Sequence, residues 1–276
     1  MTARSRSLSV VYLLVALLIA VSMFPFLWML VSSFKRLNEL YTVPPTWIPE
    51  TATWSNYLNV LLESNVPRYF LNSLVISAGS TAIALVLAIL ASYGFARFRF
   101  RGTSLPISLI IVGQLLPTAA IIVPLYVVLN YLGLLNTYLG LILAYLILTL
   151  PLSVFMLISY FKGIPVELEE AAIVDGASRL GVLLRITLPL SLPGVVAVVV
   201  YAFVTTWNEF IFALCFAMDS STKTLPIGLA EFTTEFHTDW GAVMAASVIM
   251  TVPIAILFLA MQRLFVGGLT AGATKG

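Results

Sequence analysis

Charged side chains, which could act as acids, bases or metal ligands, make up only 9% of the 276 residues. A phosphate-binding P-loop ends in Gly-Lys-Ser or Gly-Lys-Thr, and none of the four lysines here follows a glycine. The one histidine, His237, lies between apolar segments, away from the buried serine that a membrane protease would need. The one cysteine, Cys215, excludes an intrachain disulfide and the paired spacings of zinc sites. We therefore expect no catalytic residue, no metal site and no cofactor.

The most informative polar residues form one acidic segment, residues 162–187. Pro165 suits the first position of a helix, and the glutamates in the following turns favour the positive end of the helix dipole. Gly176 predicts the end of that helix, because glycine accepts the left-handed conformation that closes many helices. A second short helix is expected from about Ala177 until Pro189 breaks it. The pattern therefore predicts a helix, a turn and a helix.

Small and acidic side chains around this turn suit contact with another protein. Ala171, Ala172 and Ala177 would let another backbone approach closely, while Glu170 and Asp175 offer charge for pairing. An alternative interpretation is an amphipathic hairpin that lies along the membrane surface and has no partner. The spacing alone leaves both interpretations open.

The elements that must position this segment are membrane spans. Apolar residues make up 61% of the chain, compared with about 45–50% in soluble domains. A spanning helix needs about 20 residues with few or no charges, and six segments meet that condition. They are residues 8–33, 71–95, 105–129, 138–160, 188–218 and 241–261. The sequence therefore predicts an all-α membrane protein, a single domain over residues 1–276, in which the acidic segment joins transmembrane helices four and five.

Basic residues predict which side of the membrane each loop occupies, because cytoplasmic loops carry an excess of Lys and Arg. With a cytoplasmic N-terminus, all but four of the 14 basic residues fall inside; the four outside are Lys35, Arg36, Arg68 and Lys223. Both termini and the acidic segment are therefore expected in the cytoplasm. The first apolar segment is too long for a signal peptide, so an uncleaved helix is expected. The formal charge of +2 is too small and too scattered for nucleic-acid binding.

The acidic segment resembles a specific signature, which has seven anchor residues at fixed separations. These anchors are Glu170, Ala171, Ala172, Gly176, Ile186, Leu188 and Pro189. Their spacing is similar to the EAA signature of ABC-importer permeases, and Asp175 and Ala177 also fit it. Over nearly its whole length the chain resembles the smaller permease of maltose-type carbohydrate importers. Other segments that carry this resemblance are Asn72-Ser73-Leu74, Tyr93-Gly94-Phe95-Ala96-Arg97, Trp207-Asn208-Glu209-Phe210 and the Gly-rich end from Gly272.

The resemblance implies a transporter subunit that is embedded in the lipid bilayer of a bacterial or archaeal cytoplasmic membrane. It would work with three kinds of protein partner. These are a second permease, two ATPase subunits that hydrolyse ATP, and an extracytoplasmic solute-binding protein. In that family the EAA segment is the coupling helix that enters a cleft on the ATPase. Carried over, Glu170 would pair with a basic residue there, Gly176 would form the turn, and residues 272–276 would be a weaker second contact. The expected substrate is a carbohydrate, in particular a di- or oligosaccharide, although importers of glycerol-phosphate-type solutes share this architecture.

Glu209 is the one ionisable residue inside a predicted span. Such a residue costs on the order of 2.5–3.5 kcal/mol near the bilayer centre and is by default a functional candidate. With Asn208 it either lines the translocation path, where it would bond to sugar hydroxyls, or pairs locally and holds a gate, which is the preferred interpretation. Gln114 is a weaker candidate of the same kind, since one hydrogen bond between helices would satisfy its amide.

Two other classes of protein are open as alternatives. A proton- or sodium-driven secondary transporter would use Glu209 and need no ATPase, although the single intramembrane acid and the lack of evident inverted repeats fit it poorly. A scaffold subunit without a pathway of its own would pack Glu209, Asn208 and Gln114 against lipid or the protein interior.

Overall fold

The computed structural model describes residues 3–98, 104–115 and 117–273, and these residues are mostly helical. The α-helices are α1 (Ala3–Ser33), α2 (Leu37–Leu40), α3 (Ser55–Leu58), α4 (Val66–Arg97), α5 (Ser104–Leu115), α6 (Thr118–Tyr131), α7 (Tyr138–Lys162), α8 (Val166–Val174), α9 (Arg179–Val182), α10 (Leu188–Leu190), α11 (Leu192–Trp207), α12 (Ile211–Phe216), α13 (Leu225–Ala230) and α14 (Trp240–Ala273). Two π-helical turns, Asn59–Glu63 and Leu183–Thr187, follow α3 and α9. Within the described ranges, β-structure is limited to one isolated bridge between Thr233 and Thr238.

Four helices are long and apolar enough to cross a membrane. They are Val10–Ser33 within α1, all of α4 and α7, and Trp240–Leu264 within α14. Two bent pairs of helices bring the number to six if each pair is counted as one span. The predicted all-α membrane fold is confirmed, with four to six candidate spans.

The predicted third and fifth spans are broken rather than continuous. α5 and α6 meet at an angle of 105°, and the helical segment Arg179–Leu190 meets α11 at 81°. Pro117 has an extended backbone at the start of α6 and lacks the N–H that a continuing helix would need. Ser191 separates α10 from α11, and Asn208 ends α11 before the short helix α12 begins. Hydropathy continues across these breaks, so composition alone does not reveal them.

The chain divides into two compact units. One comprises Met1–Pro67 with Gly228–Val252, and the other comprises Arg68–Ile227 with Pro253–Gly276. In the first unit, the Asn56 side-chain amide donates hydrogen bonds of 2.9 and 2.8 Å to the carbonyls of Ser33 and Lys35. These bonds fix the chain as it leaves α1.

The second unit is organised around α7, which packs against α5, α11 and α12. One apolar cluster surrounds Tyr145 of α7 with Phe212 and Phe216 of α12. A second cluster surrounds Phe161, near the end of α7, with Tyr93 of α4 and Leu183 of the second π-turn. The acidic segment contributes to this second cluster through Leu183.

The loop 219–240 is partly buried in its first half. Leu225 is fully buried, and its backbone N–H donates to the Ser73 hydroxyl at 2.7 Å. The Asn72 amide donates to the Lys223 carbonyl at 2.8 Å. Polar side chains at the start of α4 therefore hold this part of the loop.

Candidate functional site

The acidic segment contains a helix, a glycine turn and a second short helix, as its sequence predicts. The predicted end of the second helix at Pro189 is wrong, because the helical segment continues through Pro189 to Leu190 and breaks at Ser191. Gly176 has a φ of 91°, and its N–H donates to the Ile173 carbonyl at 3.0 Å. The N–H of Ala177 donates to the Ala172 carbonyl at 2.9 Å. These two bonds form the Schellman motif, which closes a helix at a left-handed residue. We call residues 166–182, which comprise α8, this turn and α9, the hairpin.

Gly176→Ala is expected to destabilise the protein by about 1–2 kcal/mol, because a Cβ disfavours the left-handed backbone at this turn. Thermal unfolding of the detergent-purified chain measures the effect. Gly94→Ala is the matched control, because Gly94 has no positive φ and a Cβ there would meet open space. Equal unfolding temperatures for the two variants would contradict the assigned role of Gly176.

The hairpin presents most of its signature residues to the surface. Glu170, Ala171, Asp175 and Gly176 are exposed, and the side chain of Val174 between them is 86% exposed. Ala172 and Ala177 of the hairpin are half-buried. Of the signature residues that follow the hairpin, Ile186 and Leu188 are half-buried and Pro189 is exposed. The exposed part therefore combines an apolar tip with two carboxylates, a combination that suits contact with another protein.

Glu169, beside Glu170 in the chain, has the opposite environment. It is only 2% exposed, and its carboxylate accepts hydrogen bonds from Arg97 Nε at 2.9 Å, the Thr187 hydroxyl at 2.8 Å and the Tyr93 hydroxyl at 3.2 Å. Arg97 also donates through Nη2 to the Ile164 carbonyl at 3.1 Å. We call Tyr93, Arg97, Glu169 and Thr187 the Glu169 cluster. It joins the end of α4 to α8 and to the π-turn before α10.

This cluster was not predicted from the sequence, because the helix dipole alone accounts for glutamates in the first turns of α8. Neighbouring residues on an α-helix point in directions about 100° apart, so Glu169 and Glu170 cannot share a face. Tyr93 and Arg97 are four residues apart near the end of the second span and therefore share a helix face. This spacing is the sequence feature that indicates a polar contact site at the end of α4.

Glu209 bonds locally in the break between α11 and α12. One carboxylate oxygen accepts from the backbone N–H of Phe212 at 2.8 Å, and the other accepts from that of Ala213 at 3.1 Å. The exposed Asn208 donates to the Val204 carbonyl of its own helix at 2.8 Å. Glu209 therefore satisfies two backbone N–H groups at the start of α12, whereas the Val204 carbonyl also accepts the backbone N–H of Asn208 at 3.2 Å.

Gln114 is exposed near the end of α5. Among the described residues, the structure shows no hydrogen-bond partner for its side-chain amide. It borders a cavity of about 240 Å³ whose lining includes Thr118 and Ile147. The predicted second contact at residues 272–276 falls outside the residues whose side chains the structure describes.

A family model for the "Binding-protein-dependent transport system inner membrane component" matches residues 84–270. The chain belongs to this family. The matched range contains the hairpin, the whole Glu169 cluster and Glu209. The resemblance to ABC-importer permeases, predicted from the EAA signature, is thereby confirmed, and the candidate spans agree with a multi-pass inner-membrane protein.

Named relatives are similar over nearly their full length. The sulfoquinovosyl glycerol transport system permease SmoH of Agrobacterium fabrum is 37% identical over 96% of this chain and 93% of its own. The trehalose/maltose transport system permease MalG of Thermococcus litoralis is 38% identical over 94% of each chain. A chain from the crystal structure of a bacterial ABC transporter involved in alginate import aligns with a TM-score of 0.82 at 18% identity, covering 96% of this chain and 99% of that one. This last likeness shows the fold alone.

Proposed function

We propose that this ABC permease is one of two membrane subunits of an ATP-driven importer and that its hairpin docks onto an ATPase subunit. The observation that carries the proposal is the exposed surface of the hairpin, where Glu170 and Asp175 flank Val174 beside the Gly176 turn. A compact protrusion of this kind, closed by a fixed turn, can seat in a cleft. Its acidic groups would pair with basic residues of the ATPase.

The proposed mechanism is mechanical and leaves the hydrolysis of ATP to the ATPase subunits. When the ATPase pair closes on ATP, the docked hairpin moves, and the attached helices α7 and α11 change the side on which the cavity between the permeases opens. Converting a two-state equilibrium from 1:99 to 99:1 requires about 5.5 kcal/mol of differential binding. ATP binding at the partner subunits would supply this free energy, and the hairpin would transmit it.

The proposed substrate is a carbohydrate, in particular a di- or oligosaccharide delivered by an extracytoplasmic solute-binding protein. The names of the relatives support this class, since they include transport systems for sulfoquinovosyl glycerol and for trehalose and maltose. The side chains of Glu209 and Asn208 bond to backbone groups of nearby residues, which supports a structural or gating role for them rather than contact with the sugar. Both termini would lie in the cytoplasm of a bacterial or archaeal cell.

Uptake into vesicles that contain the whole complex tests the proposal. We expect uptake of a disaccharide carried by the cognate binding protein to require ATP and to be lost in Glu170→Arg, because like charges across an interface cost several kcal/mol. Glu167→Arg is the matched control, since it makes the same charge change at another exposed position of α8. Uptake that a proton gradient drives without ATP would overturn the proposal.

A further inference from the structure

We infer that Glu169 is a positioning residue through which movement of the hairpin reaches the second span, so that the end of α4 moves together with the hairpin. This inference rests on the proposed function and extends it. In the proposed mechanism, only α7 and α11 follow the hairpin, because the chain connects them to it directly. The Glu169 cluster adds a third helix to the moving group.

No short stretch of chain connects α4 to the hairpin, because Arg97 and Glu169 are 72 positions apart in the sequence. Noncovalent contacts must therefore carry any coupled movement between the two. The carboxylate of Glu169 makes these contacts in two directions. Oε1 accepts from Arg97 of α4 and from Thr187 of the π-turn, while Oε2 accepts from Tyr93 of α4.

Because the cluster is buried, its ion pair and hydrogen bonds hold α8 firmly against α4. The side chains of Arg97 and Glu169 are 5% and 2% exposed, so water and salt screen their attraction far less than they would screen a surface pair. The three donors converge on one carboxylate, which fixes its position relative to α4 and the π-turn. A displacement of α8 that left α4 behind would strand a buried charge, whereas a joint displacement would preserve every bond.

The end of α4 is also fastened to α7, the helix that precedes the hairpin. The Ser92 hydroxyl donates to the Val154 carbonyl of α7 at 2.9 Å. The ring of Tyr93 packs edge-on against Phe161, with ring centroids 6.3 Å apart. The hairpin, α7 and the end of α4 thus share one bonded and packed region. The adjacent Glu170 lies outside this region and is exposed, so the two glutamates can be tested separately.

The test uses the complete complex in vesicles and measures assembly, ATP hydrolysis and uptake. In Glu169→Gln we expect the ATPase to copurify and to hydrolyse ATP, because the exposed surface around Glu170 is unchanged. Uptake per ATP hydrolysed should fall at least about 5-fold, the lower end of typical coupling between distant sites. The exchange of charges in Arg97→Glu with Glu169→Arg should recover part of this ratio.

Milder variants keep the test decisive if Glu169→Gln fails to fold. Thr187→Val removes one bond to the carboxylate and leaves the ion pair in place, so we expect a smaller reduction in uptake per ATP. Thr149→Val is the matched control, because Thr149 is equally buried and its hydroxyl bonds to the Tyr145 carbonyl of its own helix.

Two results would have different meanings. A wild-type complex without ATP-dependent uptake would refute the proposed function itself. A wild-type complex that is active, together with folded Glu169→Gln or Thr187→Val variants whose uptake per ATP equals that of Thr149→Val, would overturn only the inference about Glu169.

Discussion

Arg97→Leu is expected to lower the free energy of unfolding by about 3–5 kcal/mol, the usual cost of removing one partner from a buried ion pair. The substitution leaves Glu169 buried and without its balancing charge, although the Thr187 and Tyr93 hydroxyls still donate to it. Two neutral donors stabilise a carboxylate less than a guanidinium does. Chemical denaturation of the purified chain in detergent measures the loss.

Two further variants separate stability from function in this experiment. Arg185→Leu, at an exposed position of the second π-turn, should change stability by only about 0.5 kcal/mol or less. The double variant Arg97→Leu with Glu169→Leu should recover much of the lost stability, because apolar pairs often replace buried ion pairs without net cost. Uptake should stay impaired in that double variant if the bonds themselves transmit movement. A single Arg97→Leu variant as stable as Arg185→Leu would contradict the structural role of the ion pair.

Glu209→Ala is expected to be the next most damaging change, because it removes the acceptor for two backbone N–H groups in the broken fifth span. Each buried donor left unpaired costs about 1–3 kcal/mol, so the loss should exceed that of a single missing hydrogen bond. Glu209→Gln retains one oxygen acceptor and should lose less. Thermal unfolding in detergent compares both variants with Asn208→Ala, which removes one exposed amide that bonds to its own helix.

Uptake by the Glu209 variants distinguishes the structural role from chemistry on the pathway. If Glu209 caps α12, uptake in Glu209→Gln should follow the amount of folded complex. A folded Glu209→Gln protein that had lost all uptake would instead favour a proton carrier or a direct contact with the solute. Such a result would support the alternative of a proton- or sodium-driven secondary transporter.

Local sequence rules predicted the hairpin well because its folding is local. Proline and acidic residues favour the start of α8, and the φ of 91° at Gly176 is available mainly to glycine. Apolar segments likewise located the membrane helices, since their length depends on the bilayer and not on the partner helices.

Features that depend on distant residues or on backbone direction could not be predicted in the same way. The role of the Glu169 carboxylate in α8 depends on its ion pair with Arg97, which lies 72 residues earlier in the chain. The 105° bend between α5 and α6 leaves the hydropathy of the segment unchanged. The N–H of the buried Leu225 bonds to the hydroxyl of Ser73, 152 residues earlier in the chain, a contact that the composition of the loop does not reveal.

Site-specific photo-crosslinking from Val174 in the membrane-embedded complex tests most directly whether the hairpin docks onto the ATPase. Val174 is 86% exposed at the tip of the hairpin, and Tyr131, 88% exposed at the end of α6, is a comparable control position. The proposal predicts an adduct between position 174 and the ATPase subunit, and none with that subunit from position 131. A crosslinker at position 174 that reacted with lipid alone, in a complex that contained the ATPase, would contradict the account.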